Sequence, residues 1–212
     1  GSGPVGCKEH LRRFLPHPLV SHDNGFYHFE TPEASVGRMK SFYGNFGVVV
    51  RALAYLTTLG REGVPEAART AVLNANYLMH RLSDLSPIAT KAPCMHEFVV
   101  DIGPLKEQTG FAAIDIAKRM LDFHMHPPTM YFPLIVHEAL MFEPTETESP
   151  ETLDHAANVL HQIYEEALSS NVDLHQAPFN AVIGRPNEVQ AARRPLLRWT
   201  PDTFDSVSEQ GI

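Results

Sequence analysis

The side chains able to do chemistry in this 212-residue chain are mostly histidines and carboxylates, with twelve His and 25 Asp and Glu. Cys94 and His96 lie two apart, as do His124 and His126. Two ligands on one helix face need a spacing of three or four, so neither pair reads as a metal half-site. Most of these histidines read as surface or hydrogen-bonded groups. The run Glu143-Pro144-Thr145-Glu146-Thr147-Glu148-Ser149 is acid-rich. It could hold a working carboxylate pair, which needs one raised pKa. It reads more simply as acid stabilised ahead of a helix N-terminus. No Ser-His-Asp order, phosphate loop or dinucleotide fingerprint is present. Tyr43-Gly44-Asn45 is a turn signal of low specificity.

The elements that must position these groups follow from the apolar spacing. Lys8 to Leu15 reads as a short helix stopped by Pro16 and Pro18. Residues 16–45, rich in Gly, Pro, His and Asn, read as a long connection with little regular structure. Val49, Leu53, Leu56 and Leu59 recur at helical spacing, and Gly60 supplies a left-handed stop. Pro65 and Glu66 open a second helix whose apolar face is Ala68, Ala71, Ala75, Leu78 and Leu82. His96 to Asp101 and Leu140 to Glu143 read as strands. Between them lies a helix with Ile114, Ala117, Leu121 and His124 on one side. Ser149 caps a last helix with the stripe Leu153, Ala157, Leu160, Tyr164 and Leu168. The tail from Asn171 is mixed, with Arg193, Arg194 and Arg198 near Trp199. The order of elements predicts a small α/β fold, a short sheet covered by helices.

The totals exclude several classes. Net charge is −8, which disfavours nucleic acid and anionic membrane surfaces. No apolar run is long enough for a membrane span. Cys7 and Cys94, the two cysteines, suggest no disulfide framework and fit a reducing cytoplasm. Gly1-Ser2 looks like a cloning scar.

Longer strings say more. His126-Pro127-Pro128-Thr129-Met130-Tyr131-Phe132-Pro133-Leu134-Ile135-Val136 resembles the signature run of the glycine decarboxylase (P-protein) family. So do its continuation through Glu138-Ala139-Leu140-Met141 to the acid-rich run, Met95-His96-Glu97-Phe98-Val99, and Ser41-Phe42-Tyr43-Gly44-Asn45-Phe46. Gly3-Pro4-Val5-Gly6 with Lys8-Glu9-His10-Leu11 resembles the stretch after that family's glycine-rich loop. Ala177-Pro178 and Ala191-Ala192-Arg193 with Leu197-Arg198-Trp199 resemble its C-terminus. The wording is most like subunit 2 of the split bacterial form.

The resemblance implies the small C-terminal domain of an aspartate-aminotransferase-like, fold type I, pyridoxal-phosphate enzyme. Residues 3–45 would be the remainder of the large cofactor domain and its connection, and residues 46–212 the small domain with its tail. The parent enzyme would decarboxylate glycine, using the cofactor ring as an electron sink. It would then pass the aminomethyl group to the lipoyl arm of H-protein, and would pair with a homologous subunit 1. Lys8 lies in the wrong motif to be the Schiff-base lysine. No catalytic residue, no bound cofactor and no activity are therefore expected of this chain alone. Ser41, Tyr43, Gly44 and Asn45 would lie near the cofactor phosphate. His96, Glu97 and Thr129 would face the cleft, and Arg185 would meet a carboxylate, although Gly184, Pro186 and Asn187 depart from the family pattern. Two other readings stay open. One is a truncated interaction module exposing the apolar surface that met the large domain and self-associating through it. The other is a histidine-based metal binder.

Overall fold

The computed structural model describes residues 3, 5–39, 41–89 and 93–198. Gly1-Ser2, read as a cloning scar, and Trp199 fall outside the described residues. Two compact units result, Gly1–Val64 and Pro65–Ile212.

The first unit opens with a 3-10 helix, Glu9–Phe14. Strands β1 (Leu19–Asp23) and β2 (Phe26–Glu30) then pair antiparallel, Leu19 opposite Glu30 and Asp23 opposite Phe26. Asn24 and Gly25 join them, both at positive φ, 51° and 84°. An Asn-Gly pair in that conformation makes the two-residue turn whose twist suits a hairpin. The expectation of an irregular connection over 16–45 is corrected here. Helix α1 (Phe46–Arg81) follows, and Gly60, at φ 65° and ψ −165°, breaks its helical conformation. The division expected at Gly60 is present, two helices meeting there across a kink, and Pro65 lies inside the second helix rather than opening it.

The second unit holds the core. β3 (Phe98–Asp101), β5 (Ala139–Phe142) and β4 (Thr129–Met130) form an antiparallel sheet in the order β3-β5-β4. Phe98 stands opposite Phe142, and Thr129 opposite Met141. The rings of Phe98 and Phe142 stack at 5.4 Å. Helices α2 (Gly103–Thr109), α3 (Ala113–Leu121) and α4 (Pro150–Ser169) supply the rest. Their Leu105, Ile116, Met120, Leu153, Leu160 and Ile163 join Phe98, Val100, Leu140 and Phe142 in one buried cluster. Each fully buried side chain of this size contributes about 1.5–3 kcal/mol. Ser149 caps α4, its hydroxyl accepting from the Thr152 N–H at 3.2 Å. The face of α3 that buries is Ala113, Ile116, Ala117 and Met120. Of the expected stripe Ile114, Ala117, Leu121 and His124, Ala117 alone belongs to that buried face. Among the described residues α5 (Glu188–Arg193) closes the tail without a buried residue.

Candidate functional site

Sequence after α3 builds a cleft in the second unit. His124 sits at φ 59° and Tyr131 at φ 58°, a backbone region that side chains seldom adopt. These two kinks bracket the run that crosses from α3 to β4. The resulting cleft of about 500 Å³ is lined by His124, His126, Thr129, Glu143, Glu148 and His155 over a floor of Met120, Met141 and Leu153. Apolar floors with a few convergent polar groups suit small organic ligands.

Of the residues singled out from the sequence, Thr129 lines this cleft. The register that sets Phe98 opposite Phe142 also brings Glu97 across from Glu143. Like charges facing across a sheet repel. The Nε2 of His96 lies 3.9 Å from a carboxylate oxygen of each. The imidazole stands between the two carboxylates. His96 and Glu97 are thereby tied to the cleft through Glu143.

Arg185 is elsewhere in the same unit. Its guanidinium donates to the carbonyls of Ala177 and Leu174, at 2.7 and 2.9 Å, and pairs with Asp115 at 2.7 Å. Ser41, Tyr43, Gly44 and Asn45 belong to the first unit. There the Tyr43 ring stacks on Phe29 at 5.1 Å, and the Asn45 carbonyl accepts from Val48 and Val49 at the start of α1. Gly44 has φ 136°.

The sequence reading did not foresee a polar hub at the start of α3. Buried Asp115 accepts from the Ala112 N–H at 2.8 Å and approaches His175 at 3.3 Å. Buried Glu138 accepts from the Ala113 N–H at 2.9 Å and pairs with Lys106. That bond holds the Lys106 ammonium above its ordinary range. Burial, then the nearby Glu138 charge, pushes the Tyr131 phenol up. An Asp at the third helical position was the available signal for this cap.

A second strut binds the tail. Arg119 donates to both Glu166 oxygens, at 2.8 and 2.9 Å, and to Asp122 at 3.1 Å. Its guanidinium lies over the rings of Phe123 and Phe179, 4.6 and 5.2 Å from their centroids. Asp122 accepts from the N–H groups of Phe179 and Asn180. Burial alone would raise the Asp122 carboxyl; those N–H groups and Arg119 outweigh it and hold the group below the usual carboxylate range. Arg119 likewise lowers Glu166.

Two ligand classes can be checked against these groups. Among the described residues no set of three His, Cys, Asp or Glu could hold a metal ion. Pyridoxal phosphate would need a free lysine amine, a cover for its ring and a phosphate cradle. Lys106 is committed to Glu138, Lys8 stands exposed beside a 3-10 helix, and Lys118, on α3, does not line the cleft. Ser41 to Asn45 offers donors for a phosphate end alone. The described residues therefore do not fit the whole cofactor.

Comparison with known proteins places the chain. The family described as glycine dehydrogenase, C-terminal domain, matches residues 67–183. The chain is 54% identical over 202 residues to a probable glycine dehydrogenase (decarboxylating) subunit 2 of Kosmotoga olearia, covering 95% of this chain and 42% of the relative. Proteins of the same description from Treponema denticola and Thermotoga maritima are 53% and 49% identical, each covering 94% of this chain and 42% of the relative. The chain thus spans about two-fifths of the length of these relatives. Its fold is similar to a glycine decarboxylase (P-protein) of the glycine cleavage system, solved in inhibitor-bound form. The TM-score is 0.56 at 20% identity, over 73% of this chain and 37% of that one. That likeness supports the small α/β domain expected from the sequence. With the family match spanning more than half of its residues, the chain belongs to the glycine dehydrogenase C-terminal domain family.

Proposed function

We propose that this chain is the C-terminal part of subunit 2 of a split, pyridoxal-phosphate-dependent glycine dehydrogenase (decarboxylating), acting in the bacterial cytoplasm. The observation that carries this is 54% identity across 95% of the chain to a relative of that description. The whole enzyme releases carbon dioxide from glycine and hands the aminomethyl group to the lipoyl arm of H-protein. Bound pyridoxal phosphate supplies the electron sink for that step. The upstream part of the subunit holds the cofactor, and subunit 1 is the partner. The role of this chain is to wall the reaction space. Thr129 lines the cleft, His96 and Glu97 lie beside its Glu143, and Ser41, Tyr43, Gly44 and Asn45 offer phosphate donors at the start of α1. Arg185, already paired with Asp115, is the candidate for a second carboxylate through the donors not directed at Leu174, Ala177 or Asp115.

Reconstitution tests the reading. The chain is co-expressed with the upstream part of the Kosmotoga relative and its subunit 1. Lipoylated H-protein, pyridoxal phosphate and labelled glycine are then supplied. Labelled carbon dioxide is expected from the full set and none from the chain alone. Release by the chain alone, or none from the full set, overturns the proposal.

A further inference from the structure

Glycine alone does not account for the cleft that Thr129 lines. Its volume of about 500 Å³ lies in the range of larger organic ligands. Met120, Met125 and Met141 line it together with Phe142. Thioether side chains adapt in shape and make favourable contacts with aromatic rings. Above that floor the fixed charge has one sign. Glu143 and Glu148 are lining residues, and no lysine or arginine is. Among the described residues neither carboxylate pairs with a lysine or arginine; Glu143 approaches the imidazole of His96 at 3.9 Å. His124, His126 and His155 complete the polar rim, and a neutral imidazole offers a lone pair to an N–H donor. The first turn of α4 also borders the cleft, through Thr152. A helix start attracts anions, but here the chain supplies its own. Ser149 Oγ accepts the Thr152 N–H. The Glu151 carboxylate is held below its ordinary range by its own backbone N–H and the Ser149 hydroxyl.

We infer that this cleft binds an organic cation, a primary ammonium joined to an aromatic ring by a short alkyl link. The ring rests on the methionine floor, and the ammonium meets Glu143 and Glu148. Volume, sulfur-rich floor and acidic rim each select a different part of that ligand. An anion of the same size finds two carboxylates and a helix start already filled. A small bare ammonium leaves the apolar floor uncovered. Every lining residue lies within Pro65–Ile212, so the site needs neither the first unit nor the cofactor.

Tryptamine is the probe, at about pH 8, where imidazoles are ordinarily neutral. Equilibrium dialysis against the chain gives the affinity, and carbon-13 methionine methyl spectra give the place. Saturable binding is expected, with shifts at Met120, Met125 and Met141 and none at Met39 or Met95. Indole-3-propionate, the same ring bearing a carboxylate, should bind at least tenfold more weakly. Ethylammonium, the same charge without a ring, should do likewise. Glu143→Gln with Glu148→Gln should weaken tryptamine at least tenfold, as truncation of one side of a desolvated charge pair does, and leave indole-3-propionate no weaker. Equal binding of amine and acid overturns the inference. So does undiminished binding of tryptamine by the double variant, or the absence of shifts at the three cleft methionines. Should the double variant melt lower than the parent chain, Glu148→Gln is read in the same dialysis, and full retention of tryptamine is again fatal. Reconstitution and dialysis fail separately. A chain that binds tryptamine here, while the full set releases no carbon dioxide, sinks the functional reading alone. Release of carbon dioxide by a chain that ignores tryptamine sinks the cation site alone.

Discussion

Arg119 concentrates more interactions than any residue proposed from the sequence: two acids, two rings and a largely buried position. Removing one partner from a buried ion pair strands the others in a poor solvent. Arg119→Ala should therefore cost about 3 kcal/mol, read as a lower urea midpoint with unchanged slope. The same strut has a pH signature. Asp122 and Glu166 titrate lower folded than unfolded. The unfolded chain then binds more protons through the acid range, so stability rises with pH there. The contribution should be complete above the ordinary carboxylate range, about pH 5, and lost progressively as pH falls below it. Arg119→Ala should flatten that acid slope in a series of urea melts. None of this was legible beforehand. Arg119, Glu166 and Phe179 are distant in sequence and meet only through the packing of α3, α4 and the tail. Thr129 and His96 were singled out because long local strings carry them, not because their spacing announces a site.

Among the elements, α4 was the most readable. Ser149 followed by Pro150 and Glu151 signals a helix start by local chemistry alone, and the cap is present. Leu153, Ala157, Leu160 and Tyr164 bury as their spacing requires, whereas Leu168 is half exposed at the last turn. Ser149→Ala should cost about 1 kcal/mol, seen as a small drop in melting temperature. Burial pushes the Tyr164 phenol up to about 12, so its ionisation should trail that of exposed tyrosines in a spectrophotometric titration. The β1–β2 hairpin was missed although Asn24-Gly25 is a strong turn signal. The surrounding Gly, Pro and His obscured it, and β2 lacks the alternation of buried and exposed residues expected of a half-buried strand. Gly60 was foreseen as a special residue. Its backbone lies where only glycine is comfortable, so Gly60→Ala should destabilise α1 by about 1–3 kcal/mol. Thermal melts followed by helical circular dichroism would show it.

For the whole molecule, burial is unevenly shared. In Gly1–Val64, Pro32 alone is buried among the described residues, whereas Pro65–Ile212 contains the entire apolar cluster. Segments with few buried contacts open first. Amides of β1 and β2 should exchange with deuterium at least tenfold faster than those of β3 and β5, and binding of the upstream part should slow the former. Equal protection in the isolated chain would contradict this division.

The strand borders of the second unit carry one more consequence. Ile88 bridges to Val100 along one side of the sheet. On the other side β4 is two residues long, and Pro127 and Pro128, which precede it, have no amide hydrogen to offer. A foreign backbone arriving laterally finds no ladder to extend. Lateral addition of a foreign strand to that unit's native sheet is thereby disfavoured.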